Sequence, residues 1–210
     1  MNKKSKISIA ALAAAVIASG VFYSAYLAQP GAEAEQLCQT RDEAMANTQG
    51  KMDVKEPTYL PEGYHILCAD GTPEILLLFY GQADSVNKEE ANRVQLIEDG
   101  AILVAAKRYD AETDDAYNTR DREAEIRRAF EGVDPKVETR LTEVNGNLAA
   151  VREMCEDCGK SFITHEDGST EQVGTSSMPS VIEFYDGDMK YRIEAYLPSA
   201  ELEKVAQSLE

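Results

Sequence analysis

The stretch from Val181 to Glu210, VIEFYDGDMKYRIEAYLPSAELEKVAQSLE, constrains this chain more than any other. Two alternating runs flank Asp186-Gly187. A dipeptide of that kind selects a two-residue β-hairpin turn, because both central positions need positive φ. A turn there sets Tyr185 against Asp188, Phe184 against Met189, Glu183 against Lys190, Ile182 against Tyr191 and Val181 against Arg192. Ile182, Phe184, Met189, Tyr191 and Ile193 then share one face, while Glu183 and Lys190 pair with opposite charge on the other. A slip of one residue would turn the apolar row into water, so this register is expected to be unique. After Leu197-Pro198, Ser199 is placed to cap a helix. Leu202, Val205, Ala206 and Leu209 recur along it as one stripe. So short a helix cannot stand alone in water, so it must pack on the sheet.

The other end of the chain gives an address. Lys3, Lys4 and Lys6 precede 22 uncharged residues, Ile7 to Ala28. A basic start followed by an apolar run is the pattern of an export signal. The run is also long enough to cross a bilayer as a helix. Residues 1–34 are therefore expected to be a transmembrane anchor, with its basic end in the cytoplasm, or a signal peptide cut after Ala32-Glu33-Ala34. Either reading puts the rest outside the cytoplasm, at the cell membrane or secreted. Leu37 stands where a lipoprotein cysteine would need a small residue, so Cys38 is not read as a lipid anchor. The formal charge of −17 repels nucleic acid and anionic lipid heads and favours cations or basic partners.

Between the ends, strand and turn signals dominate. Residues 35–56 read as a spacer with a short helix, capped by Thr40 or Asp42, and residues 57–210 as the extracytoplasmic domain. Pro57 to Tyr64 is a rigid turn that leads into a strand at His65–Cys68. Glu74 to Tyr80 is almost wholly apolar and reads as a strand buried on both faces. Asp99-Gly100 predicts a second hairpin, with Ile97 opposite Ile102 and Leu96 opposite Leu103. Ala111 to Phe130 reads as a solvated helix with a weak apolar stripe at Ile126 and Phe130. Val137–Val144 and Leu148–Met154 flank Asn145-Gly146 as two more strands, and residues 155–179 read as a long loop. The sum is an α+β fold. A curved antiparallel sheet of about seven strands is expected, with helices packed on one face, after the N-terminal helix.

Two stretches carry a family resemblance. Pro57-x-Tyr-Leu-Pro-Glu-Gly-Tyr64 is one, and the closing hairpin and helix with Tyr191-Arg192-Ile193 and Ala206-Gln207-Ser208-Leu209 is the other. Together they resemble the extracytoplasmic domain-of-unknown-function family 4367. Its members occur at the outer end of membrane-anchored bacterial and archaeal proteins, some linked to sigma-factor regulation. The resemblance spans Glu56 to Glu210 and is concentrated at the two ends. Where that family usually carries a Trp, Phe184 or Tyr185 stands here. The similarity implies kinship with lipoprotein-carrier and envelope-stress-sensor domains, whose concave sheet face can hold a lipid or a peptide. It implies no catalytic residues.

Four cysteines form the one reactive constellation. Outside the cytoplasm they are expected to be oxidised. Of three possible pairings, Cys38–Cys68 with Cys155–Cys158 is the one expected. Cys155-Glu-Asp-Cys158 admits two further readings. One is a metal knuckle with His165 as a third ligand, short of the four that a closed site needs. The other is a redox dithiol, which the crowding by Glu153, Glu156 and Asp157 disfavours. No phosphate loop, calcium loop or nucleophile elbow is present in the sequence. The expectation is a non-enzymatic protein without a cofactor, which binds or senses a lipid, a peptide or an envelope protein. The alternatives are an envelope thiol or metal protein and a structural envelope component. An apolar cavity lined by Leu76, Leu78 and Ile193 would favour binding.

Overall fold

All strand pairings are antiparallel in the computed structural model, which describes residues 38–82, 93–109, 121–164 and 170–210. Seven strands make one sheet: β1 (His65–Gly71), β2 (Ile75–Gly81), β3 (Ile102–Arg108), β4 (Thr139–Val144), β5 (Asn147–Arg152), β8 (Ser180–Asp186) and β9 (Met189–Ala195). Their order is β1-β2-β3-β9-β8-β5-β4. Two longer strands, β6 (Cys155–Thr164) and β7 (Thr170–Met178), pair only with each other. Four short helices are described: α1 (Arg41–Asn47), α2 (Arg93–Glu98), α3 (Arg122–Arg127) and α4 (Ser199–Gln207). The expected anchor or signal lies outside the described residues. Among those described, no helix is long and apolar enough to cross a membrane.

The helices cover both faces of the sheet, where one covered face was expected. The cause lies in β2, whose side chains are apolar at almost every position. Leu76, Leu78 and Tyr80 enter one core, with Ile182, Phe184, Tyr191 and Ile193. The stripe of α4 (Leu202, Val205 and Ala206) closes that core, with Ala44 of α1 and Met52. Leu77 and Phe79 point the other way, under Leu96 and Ile97 of α2. Ile126 of α3 covers Ala150 and Tyr185 further along the same side. A strand that is apolar on both faces needs a layer on each.

Three Gly-containing dipeptides received the same reading in the sequence, and the structure separates them. At Asn145-Gly146 both residues have positive φ, 49° and 82°, and a tight hairpin joins β4 to β5. At Asp186-Gly187 the turn lies one residue further on, at Gly187-Asp188, because only Gly187 takes positive φ. Phe184 therefore faces Tyr191, and Glu183 faces Arg192. Each partner moves by two positions, so the predicted faces survive the correction. Asp99-Gly100 is no hairpin. It ends α2, with the Gly100 amide donating to Ile97 O (3.0 Å) and the Ala101 amide to Leu96 O (2.9 Å). That is the Schellman closure, which needs the same positive φ at Gly100 (93°) as a hairpin turn would.

Residues 155–179, expected from the sequence to be a loop, carry the β6–β7 arm. Its serines, threonines and acids lack the apolar alternation that marks a half-buried strand. The helix expected over 111–130 is seen as α3 alone, capped by the Asp121 side chain, and its earlier part lies outside the described residues. The segment read as a spacer packs into the domain. Thr40 caps α1 through a reciprocal box with Glu43, and Ala44 is fully buried. Glu56 and Glu210 then exchange backbone hydrogen bonds at 3.1 and 3.2 Å.

Candidate functional site

The second face of the sheet hides a charged floor beneath α2 and α3. Period-two alternation along β9 sends Lys190, Arg192 and Glu194 to that side, and Glu183 joins them from β8; all four are buried. Arg192 pairs with Glu183 and lies 3.0 Å from Glu194. Lys190 Nζ lies 3.3 Å from Glu183 and 3.0 Å from Glu125 of α3. Arg93 of α2 lies 3.2 Å from Glu194. Burial alone would depress the Lys190 ammonium pKa, but Glu183 and Glu125 carry it above its ordinary value. Burial would raise the Glu194 carboxyl, yet Arg192, Arg93 and Arg152 bring it below the usual range. Opposite charges this close hold each other ionised. The floor thus fixes both helices to the sheet, and its groups are occupied with one another. The predicted Glu183–Lys190 pair persists as a diagonal contact, while Arg93 and Glu125 were invisible because they come from separate short helices.

Chemistry open to solvent lies at the sheet's β4 edge. The tight turn makes Val144 and Asn147 a hydrogen-bonded pair, so Thr142 and Arg140 also bond inward to β5. Thr139, Leu141 and Glu143 consequently direct their backbone amides and carbonyls outward. Leu141 is 43% exposed, one of four large apolar side chains open to solvent among the described residues. It borders a groove of about 220 Å³ between α3 and the β4–β5 hairpin. Ile126, Phe130 and Ala150 complete the apolar lining, with Arg127 and Glu131 at the rim. Arg127 is held by Glu123 at 3.1 Å, and Arg140 by Glu203 and by Ser199 Oγ at 2.9 Å. Glu131, Glu138 and Glu143 form no ion pair among the described residues. A hint of this site lies in Leu141, which apart from the buried Val144 is the one apolar residue of β4.

The cysteines stand at disulfide distance in two pairs. Cys38 and Cys68 have Cα atoms 4.6 Å apart, next to the Gln39–Ala69 bridge. Cys155 and Cys158 are 5.7 Å apart at the base of the arm. There the stretch Cys155 to Gly159 opposes only Met178 to Ser176, so the pair spans a bulge. Asp157 within it takes positive φ (60°) and accepts a hydrogen bond from Thr175 Oγ1 at 3.0 Å. The pair lies in a strand, without the helix N-terminus that lowers a thiol pKa. His165 lies outside the described residues. Among those described, no three His, Cys, Asp or Glu side chains gather as metal ligands. His65 is exposed, its ring Nδ1 3.4 Å from Gly63 O.

Among the described residues, Leu76, Leu78 and Ile193 border no open space. They are fully buried against α4 and the N-terminal segment. Compared with known protein families, curated proteins and solved structures, the chain finds no match.

Proposed function

We propose that this chain is a non-catalytic extracytoplasmic domain that binds a segment of another protein at the cell envelope. The β4 edge, which is open among the described residues and lies beside the α3 groove, carries this reading. A free edge offers backbone donors and acceptors, and a neighbouring groove selects a side chain; together they make a strand-addition site. A volume of about 220 Å³ is small beside the ~300–1,000 Å³ of ordinary small-molecule pockets. A lipid tail would have to displace α4 from the core it closes. The envelope placement draws support from the basic and apolar N-terminus, from the resemblance at Pro57–Tyr64 and the closing hairpin, and from two cysteine pairs that suit an oxidising compartment.

Intact mass under native and denaturing conditions tests the reading, on protein purified from its own membrane and alkylated before reduction. The expected result is four cysteines without alkylation and no lipid released on denaturation. A lipid that leaves with unfolding would overturn it in favour of a carrier function. Two alkylated thiols at Cys155 and Cys158 would favour thiol chemistry instead.

A further inference from the structure

We propose that the segment bound at β4 is an extended strand with an apolar residue opposite Leu141 and a basic residue two positions before it. This rests on the strand-addition reading and adds the register and charge of the partner. The outward backbone groups of Thr139, Leu141 and Glu143 set three hydrogen-bonding positions for an antiparallel strand. These residues share the α3 side of the sheet, so the incoming side chains opposite them share it too. The one opposite Leu141 meets an exposed leucine at the groove's mouth. The one opposite Glu143 meets a carboxylate that has no ion pair among the described residues.

Charge separates this partner from the alternatives. The arginines nearest the groove are engaged, Arg127 by Glu123 and Arg140 by Glu203. The carboxylates of Glu131 and Glu143, which form no ion pair among the described residues, are left to act on an incoming strand. The whole chain carries −17, which steers basic segments toward this edge and repels acidic ones. A second copy of the chain would bring the same negative charge and would set Glu143 opposite Thr139 of its partner, leaving it unpaired. An anionic lipid surface is repelled by the same field.

The test uses the full-length chain and two blocked hexapeptides, Thr-Lys-Thr-Leu-Thr-Thr and its Glu-for-Lys counterpart. Binding is followed by amide chemical shifts and hydrogen exchange. The Lys peptide should bind about fivefold tighter than the Glu peptide at low salt, as a cross-strand charge pair of this kind allows. Shifts and new exchange protection should centre on the Thr139, Leu141 and Glu143 amides. Glu143→Lys should invert the preference between the peptides. Leu141→Pro and Thr139→Pro, which block outward amides without touching the bonds to β5, should each weaken binding at least tenfold. Equal binding of the two peptides at β4 would overturn the charge rule and leave strand addition standing. Absence of binding, or binding indifferent to both proline variants, would overturn site and reading together. Concentration-dependent dimers abolished by Leu141→Pro would replace the basic partner with a second copy.

Discussion

The two edges of the large sheet are treated in opposite ways. At β1 the edge is closed. Gln39 and Ala69 exchange backbone hydrogen bonds at 2.9 and 3.0 Å, Cys38 stands paired to Cys68, and α1 lies on Gly71 so closely that a Cβ there would collide with the Ala44 carbonyl. At β4 no strand or helix backbone pairs with the outer side of the edge among the described residues. Unpaired edges invite association, and proteins ordinarily blunt them. One edge thus carries a crosslink and a helix, and the other lies beside a groove, which is the contrast behind the proposed strand-addition site.

The largest effect should come from opening the closed edge. Substituting Cys38→Ser with Cys68→Ser removes a crosslink between residues 30 apart in sequence. On chain-entropy grounds such a loop contributes roughly 3–4 kcal/mol. Urea unfolding should show a loss of that order, and the Ala69 amide should exchange faster than the β2–β3 core. Protection at Ala69 equal to the parent would show that α1 alone closes the edge, and the contrast between the edges would then rest on packing.

A smaller break is Gly71→Ala. The added methyl meets backbone, which cannot rotate away, so α1 must shift. Overpacking of this kind costs about 1–3 kcal/mol. The loss should be confined to α1 and β1, with amide shifts absent from β4 and β5. Shifts at β4 would mean that the two edges are coupled through the sheet, which their separation by five strands argues against.

The strands of both halves were legible in the sequence, including the pair around Asn145-Gly146, while the groove at the open edge was not. Glu74 to Tyr80 could only be a strand buried on both faces, and the Leu202, Val205, Leu209 stripe could only face a core, because apolar periodicity is read directly. Turn chemistry was less decisive. Positive φ at a glycine serves a hairpin and a helix end alike, so Asp99-Gly100 was misread where Leu96 and Ile97 belong to a helix of six residues. Gly187 slid the closing turn by one place without changing the faces, since period-two alternation fixes side and not partner. The charged floor was half visible. Glu183 and Lys190 sit in one hairpin, whereas Arg93 and Glu125 arrive from short helices whose docking no local pattern encodes. The groove arises from α3 settling beside β4, a packing event between segments that are near in sequence but weakly patterned.

The smallest expected effect is also the sharpest test of the contrast. Leu141→Pro at β4 should cost stability by no more than about 1 kcal/mol. Its amide points away from β5, so no ladder hydrogen bond is lost, and edge positions of that kind accept proline. Leu141 is already 43% exposed, so little burial is forfeited. The same substitution at an inward position, such as Thr142, removes a bond to β5 and should cost clearly more. Chemical denaturation of the two variants side by side measures the difference. A Leu141→Pro variant as damaged as Thr142→Pro would mean that the outward groups already have a partner within the molecule, and the edge would not be open at all. A nearly unperturbed Leu141→Pro variant that has also lost the Lys peptide would separate binding from folding at one residue. The bare edge would then be a site, and the crosslinked edge a support that keeps association on the other side.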